Sequence, residues 1–272
     1  MKILHTLAQL PAMTGSGIYF SVLIDGLNKL GHENAALYAV QDEFSSGMAE
    51  NIKKYELEFK SEKLPFPIAG MSDEMPYDST VYSEMSEKDY ELWINNFREK
   101  LLHIKQDFDP DVIIAHHVFI LSSLVCEVFS DKKVITLSHS TDVRQLMKNP
   151  WILEKYMPHI KEVDECICVS LNDADSIVNK IGIDKDKLKV YGGGFRQDIF
   201  YQNDTKKEDD IIRLLYVGKI SSSKGIFELV QTFPKLNEKY ENLEFNIVGN
   251  CNEEQMEELT KLSKNATNMH IH

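Results

Sequence analysis

Asp111-Val112-Ile113-Ile114-Ala115-His116-His117 and, further on, Lys133-Val134-Ile135-Thr136-Leu137-Ser138-His139-Ser140-Thr141-Asp142 share one design. Each is a short, β-branched apolar run that ends in histidine. Runs apolar on both faces are characteristic of strands buried inside a parallel sheet. Similar runs occur at Lys2–Leu7, Asn34–Val40 and Glu165–Ser170, and Lys187–Tyr191 closes the series. Helix-like segments fall between or after them, at Ile18–Leu30, Glu87–Gln106, Val118–Phe129, Trp151–Lys161 and Asn172–Ile181. Strands alternating with helices predict an α/β, doubly wound parallel sheet with helices on both faces.

The first helix places Leu23, Leu27 and Leu30 on one stripe, and Gly31 ends it. From Gln41 to Ser86 the pattern breaks. Pro65, Pro67, Gly70 and Pro76 lie there, which reads as a long irregular insertion. The polar stretch Asn203–Asp210 reads as part of a linker. We expect an N-terminal domain over residues 1–202, a linker over 203–212 and a second domain from 213. After the linker the pattern restarts with a strand at Arg213–Gly218 and a helix at Ser223–Tyr240. Ile226, Leu229, Val230, Phe233, Leu236 and Tyr240 form its stripe, with a kink expected at Pro234. A strand at Leu243–Gly249, a helix at Glu253–Lys264 and a strand start at Met269–His272 follow. Only 60 residues run from Arg213 to His272, fewer than the roughly 100–150 of an ordinary domain. We therefore expect that the chain stops inside its second domain.

The chain has 272 residues, 43% hydrophobic and 27% charged, with a net charge of −13. That balance disfavours nucleic acid and anionic lipid as non-specific partners. No stretch approaches the roughly 18 apolar residues of a membrane span, and Met1–His5 has no leader-like pattern. A cytoplasmic location is expected, with no integral membrane segment; peripheral membrane contact stays open. Cys166 and Cys168 would share one face of a strand and read as buried core residues.

Four constellations carry chemistry. Thr14-Gly15-Ser16-Gly17 lies at a helix start, where backbone N–H groups and the dipole attract anions; the plainer alternative is a turn that tolerates glycine. Phe20 occupies the third position of a G-x-G-x-x-G pattern, so a nicotinamide-binding fingerprint is not present. His116 and His117 end one strand, and His139 follows the next. Ligands of open α/β sheets bind along that edge. Taken singly, a histidine there more often caps a strand end, but two adjacent strands ending alike point to a site. Gly218-Lys219 ends a strand and Lys224-Gly225 begins a helix, so two cations and a helix terminus suit a diphosphate; solvated loop lysines are the alternative. Asp109-Pro110-Asp111, Asp173-Ala174-Asp175 and Asp184-Lys185-Asp186 sit where aspartate caps turns and helices, and none reads as a metal site.

In order, these elements resemble family 4 glycosyltransferases of the GT-B fold. Gly15-Ser16-Gly17 and Gly31-His32-Glu33 resemble that family's glycine loop and its "GHE" motif. Asp111–His117 resembles "D-V-I-H-x-H", Thr136–Asp142 resembles "T-x-H-G-T-D", and Val190–Phe200 resembles "I-P-N-G-V-D…F". Val217–Gly225 resembles "V-G-R-x-x-x-x-K-G", and Phe245–Gly249 the later "x-I-V-G" strand. Lys219 stands where the family has arginine, Ile114 replaces the first histidine of H-x-H, Ser140 replaces a glycine, and Gly193 stands near the asparagine of N-G. The family's later Glu-x7-Glu region is not in this sequence.

The resemblance implies a metal-independent, hexosyltransferase-type enzyme that moves a sugar from a nucleotide-diphosphate donor to an acceptor with retention at the anomeric carbon. The setting implied is bacterial glycan, glycolipid or small-molecule glycoside synthesis, with a glycan, lipid or small molecule as acceptor. His116, His139, Lys219 and Lys224 are the implied catalytic residues. Gly15, Ser16, Gly17, Gly218, Lys219 and Lys224 would bind the donor diphosphate, and His117, Thr141 and Asp142 the acceptor or sugar. No metal or separate cofactor is implied. With the second domain cut short, the chain itself is expected to be weakly active or inactive. The alternatives are a non-catalytic sugar- or acceptor-binding protein derived from such an enzyme, and a sugar epimerase of like architecture.

Overall fold

The structure, a computed structural model, describes residues 1–202, 209–240, 242–264, 266 and 268–272. Its contacts divide the chain into two units, Met1–Phe195 and Arg196–His272. The division falls ahead of the polar stretch expected as the boundary. Residues 203–208 of the expected linker lie outside the described residues, and Ile212 already begins a strand.

In the first unit, β1 (Lys2–Leu7) leads through a loop into α1 (Gly15–Lys29), followed by β2 (Glu33–Val40) and β3 (Lys53–Glu58). Two short strands, β4 (Ala69–Gly70) and β5 (Thr80–Val81), precede α2 (Glu87–Asp107). Then come β6 (Val112–His116), α3 (Ile120–Val128), β7 (Lys133–Leu137), α4 (Thr141–Lys148) and α5 (Trp151–Tyr156). β8 (Glu165–Cys168), α6 (Leu171–Ser176) with a following π-turn at Ile177–Ile181, and β9 (Leu188–Val190) complete it. Seven strands form one parallel sheet in the order β3-β2-β1-β6-β7-β8-β9.

β2 shows why the sheet is doubly wound. Ala35, Leu37 and Ala39 enter the large core that also holds Trp93, Phe97 and Leu101 of α2 and Leu124 of α3. The alternate residues Ala36, Tyr38 and Val40 pack with Phe20 and Ile24 of α1. Period-two alternation thus feeds helices on both faces. α2 is set by its ends and its stripe. Ser86 accepts from the Asp89 amide at 3.2 Å, and Asp89 accepts from the Ser86 amide at 2.9 Å, a reciprocal cap. Tyr90, Trp93, Phe97, Leu101 and Ile104 then follow at helical spacing.

Several sequence expectations are corrected. The buried stripe of α1 is Gly17, Phe20 and Ile24; Leu23 and Leu27 are half-buried and Leu30 is exposed. The segment expected to be irregular contains β3, whose Tyr55 and Leu57 point inward while Lys53, Lys54, Glu56 and Glu58 stay exposed. Lysine on such an edge strand blocks sheet-to-sheet pairing. α4 was not expected at all. The helix expected at Trp151–Lys161 ends at Tyr156, with a 3-10 turn at Ile160–Glu162. Cys166 and Cys168 are both buried, with Sγ atoms 4.0 Å apart.

In the second unit β10 (Ile212–Val217), β11 (Leu243–Val248) and β12 (Met269–Ile271) form a parallel sheet in that order. α7 (Ile226–Lys239) and α8 (Glu253–Ser263) accompany it. The helix start expected at Ser223 is a 3-10 turn at Ser222–Lys224, and Gly225 with φ +69° opens α7. α7 continues through Pro234 and buries Ile226, Phe227, Val230 and Phe233, while Leu229 and Tyr240 lie on its exposed side. Among the described residues no helix is long and apolar enough to cross a membrane.

Candidate functional site

The carboxyl ends of β1, β6 and β7 lie side by side in the sheet. There the first unit gathers His5, His116, His117 and His139. His116 Nδ1 and His139 Nε2 are 3.2 Å apart, with their rings nearly parallel at 15° and 5.3 Å between centroids. The His117 ring lies 4.8 Å from that of His139. Tyr19 of α1 meets both His139 (5.6 Å) and His116 (6.2 Å) edge to face. Phe20 packs against His116 at 5.0 Å and against His5 at 6.2 Å. His5 in turn shares a 3.1 Å hydrogen bond between its Nε2 and Asn34 Oδ1.

Burial sets the charge of this cluster. It pushes His139 and His5 down to about 4, and holds His116 and His117 well below the ordinary histidine value. The neighbouring imidazoles add to the effect at His116 and His117. All four are therefore neutral near pH 7, so in the His116–His139 pair one ring donates and the other accepts. His116 and His117 are only 1% exposed, whereas His139 is half-buried. Of the predicted histidines, His139 is the one the fold presents outward.

Asp142 was expected to bind acceptor or sugar. It is fully buried, and protein donors occupy both its oxygens. Oδ2 accepts from the Val118 amide at 2.7 Å; Oδ1 accepts from Ser138 Oγ at 3.1 Å and from the Val143 amide at 3.0 Å; the His139 amide reaches both oxygens at 3.3 Å. Burial raises its carboxyl while these hydrogen bonds oppose that rise. Asp142 thus ties the chain after His117 to the chain at His139. Thr141, half-buried, opens α4 and donates its amide to the His139 carbonyl at 2.8 Å. Both strand ends carry strained backbone, with φ +71° at His117 and +64° at Ser140. Such outliers persist only where surrounding contacts hold them, and they cluster at functional sites.

The glycine loop separates into two roles. Thr14 Oγ1 caps α1 by accepting from the Gly17 amide at 3.0 Å. A Cβ on Gly17 would stand 2.6 Å from the Leu10 carbonyl and 2.7 Å from both Ala12 N and Ala12 O, so Gly17 lets the loop close on the helix. A Cβ on Gly15 would meet nothing within 4 Å. Ser16 Oγ donates to Gln9 Oε1 at 3.3 Å.

In the second unit Gly218 and Gly249 end adjacent parallel strands. A Cβ on Gly249 would lie 1.9 Å from the Gly218 carbonyl, so glycine here permits the two chain segments to meet. Lys219 follows at once, its carbonyl accepting from the Tyr216 hydroxyl at 2.8 Å. Lys224 ends the 3-10 turn before α7. Both lysines are exposed.

With this geometry in place, comparison with known families decides what the chain is. The profile described as Glycosyltransferase Family 4 matches residues 13–195. The chain belongs to that family. A second profile, Glycosyl transferases group 1, matches residues 197–272. Among solved structures, this family 4 chain is similar to a glycosyltransferase from Rickettsia africae, at 16% identity and a TM-score of 0.66, covering 100% of this chain and 67% of that one. It is also similar to sucrose-phosphate synthase from Thermosynechococcus elongatus, at 15% identity and a TM-score of 0.67, covering 100% and 70%. The UDP-GlcNAc 2-epimerase of Neisseria meningitidis, bound to UDP-GlcNAc, matches at 14% identity and a TM-score of 0.57, covering 100% and 72%. Identities this low show the fold alone, which is GT-B. No curated protein matches the chain.

Tyr19, Ser138 and Asp173 join the site without having been assigned to it from sequence. Tyr19 lies four residues before Leu23 on α1, on the same stripe as Leu23 and Leu27, and helical periodicity could have flagged it. Asp173 reads from the sequence as an ordinary capping residue and Ser138 carries no sequence signal of its own, so only the tertiary contacts show their reach.

Proposed function

We propose that this chain carries the machinery of a retaining, metal-independent hexosyltransferase, using a nucleotide-diphosphate sugar and a glycan, lipid or small-molecule acceptor, in bacterial glycan, glycolipid or small-molecule glycoside synthesis. The observation that carries the reading is that two glycosyltransferase profiles match in succession across residues 13–195 and 197–272. The neutral imidazole cluster agrees with it. His139, held near pKa 4 by burial, is a weak base and a good neutral hydrogen-bonding group for a sugar hydroxyl. His116 supports it from behind, and His117 and Thr141 line the same strand ends. Gly15 and Ser16 stand at the helix N-terminus where an anionic oxygen would bind, and Gly17, its amide held by Thr14, lets the loop close behind them.

Lys219 and Lys224 are assigned to the leaving diphosphate, whose developing charge they would offset without a metal. In the transfer, the anomeric carbon–diphosphate oxygen bond breaks and the acceptor oxygen bonds to that carbon on the same face. The acceptor proton passes to the departing diphosphate. A panel of UDP-, GDP- and ADP-hexoses, assayed for diphosphate release in excess chelator, tests this. Turnover by this chain is expected to be weak, and whatever release occurs should need no added cation and give a product with the donor's anomeric configuration. A strict requirement for a divalent cation, or an inverted product, would overturn the corresponding part of the reading.

A further inference from the structure

Ser140 occupies a position that costs it twice. Its backbone has φ +64° and ψ −30°, and the His139 carbonyl accepts from the Thr141 amide at 2.8 Å across it. That is a three-residue γ-turn with positive φ, a rare and strained form that glycine adopts more readily. Ser140 is also the residue preceding α4, where a serine hydroxyl ordinarily caps the helix, yet it makes no capping bond. Instead Ser140 Oγ donates to Asp173 Oδ2 at 2.6 Å, reaching the start of α6 beyond the neighbouring strand β8. Asp173 is itself held. Its Oδ2 accepts from Ser170 Oγ at 2.9 Å, and its amide donates to Ser170 Oγ at 3.1 Å. The residue between the two ends of the γ-turn is therefore tied to a fixed carboxylate, and the residue just before it is His139.

We propose that Ser140 and Asp173 are positioning residues that hold the His139 imidazole in register with His116 and outward at the sheet edge. A strained, uncapped serine is explained by what its hydroxyl does for its neighbour. The 2.6 Å bond to the Asp173 carboxylate fixes the turn from one side while Asp142 fixes the His139 amide from the other. This inference rests on the reading of His139 as the substrate-facing imidazole, but its first test needs no substrate.

The test is side-chain nitrogen NMR on the 15N-histidine-labelled full chain, comparing wild type with Ser140→Gly, Ser140→Ala, Asp173→Ala and Asp173→Asn, each checked for folding by circular dichroism. Ser140→Gly removes the hydroxyl together with the backbone strain, so it keeps the comparison available if the alanine variants unfold. We expect the His139 and His116 ring signals to move in Ser140→Gly, Ser140→Ala and Asp173→Ala, with no further change when Ser140→Ala and Asp173→Ala are combined. Asp173→Asn, which retains an acceptor oxygen, should stay nearest wild type. Folded Ser140→Gly and Asp173→Ala proteins with unshifted His139 and His116 signals would overturn the proposal, leaving the bond a fastener between α4 and α6. A nucleotide-sugar titration of the same variants tests the substrate reading separately, because the ring signals are read without ligand.

Discussion

Gly17→Ala is the substitution whose cost is most directly written in the structure. The new methyl would lie 2.6 Å from Leu10 O and 2.7 Å from Ala12 N and Ala12 O. All three are backbone atoms, so no rotamer change relieves the clash. Either the Leu10–Ala12 segment or the first turn of α1 must shift, and the Thr14 cap shifts with it. Forcing a methyl into such packing costs about 1–3 kcal/mol. For a unit of this size each kcal/mol moves Tm by roughly 2–4 °C, so a fall of about 2–12 °C is expected. Gly15→Ala is the control. It adds a methyl in open space at a helical position, where alanine gains up to about 1 kcal/mol over glycine. Both tryptophans, Trp93 and Trp151, lie in the first unit, so tryptophan fluorescence follows that unit alone during heating. If Gly17→Ala unfolds at the wild-type temperature, the glycine is not required by loop closure, and the close approach described here is wrong.

Acid should destabilise the first unit. His5, His116, His117 and His139 have folded pKa values below the unfolded value near 6.5. Their contribution is thus full above pH 6.5 and is lost as pH falls below it, toward about 4 for His5 and His139, because the unfolded chain binds the extra protons. Unfolding free energies from urea titrations followed by tryptophan fluorescence should fall between pH 7.5 and 5.5, by about 1 kcal/mol for each of His5 and His139, and a flat profile would contradict burial of the cluster. Asp142→Ala strips the Val118, His139 and Val143 amides and Ser138 of their acceptor; at about 1–3 kcal/mol for a buried donor left unmet, a loss of several kcal/mol is expected in the same assay. Ser86→Ala removes one side of the α2 cap and should cost about 1 kcal/mol, measured by urea unfolding.

Much of this architecture is legible in the sequence because buried parallel strands are apolar on both faces. Lys133–Leu137 and Lys2–Leu7 could be bounded to the residue for that reason. β3 was missed although Lys-Lys-Tyr-Glu-Leu-Glu alternates, because its single buried face leaves only Tyr55 and Leu57 as signal amid prolines and glycines that follow. α4 was missed because Val143 and Leu146 are its only buried apolar residues, and its start at Thr141 reads as loop. The error over the first helix has the same physics: leucines at the right spacing mark a stripe, but which stripe meets the sheet depends on how the loop before Gly17 sets the helix rotation. The histidines were legible as strand ends. Their ring contacts, the burial of Asp142 and the Ser140–Asp173 bond were not, since these depend on side-chain rotamers and on residues far apart in the chain.

Binding of a nucleotide-sugar diphosphate by the proposed donor site is measured by calorimetric titration with UDP, GDP and ADP, on the wild type and a Lys219→Ala, Lys224→Ala double variant. At about 1.5–3 kcal/mol for each charge-assisted contact, losing both lysines should weaken binding by about a hundredfold or more. The wild type should bind at least one diphosphate saturably, and the variant should show that loss. A folded wild type that binds none of the three, or a double variant that binds as well as wild type, would contradict the proposed donor site.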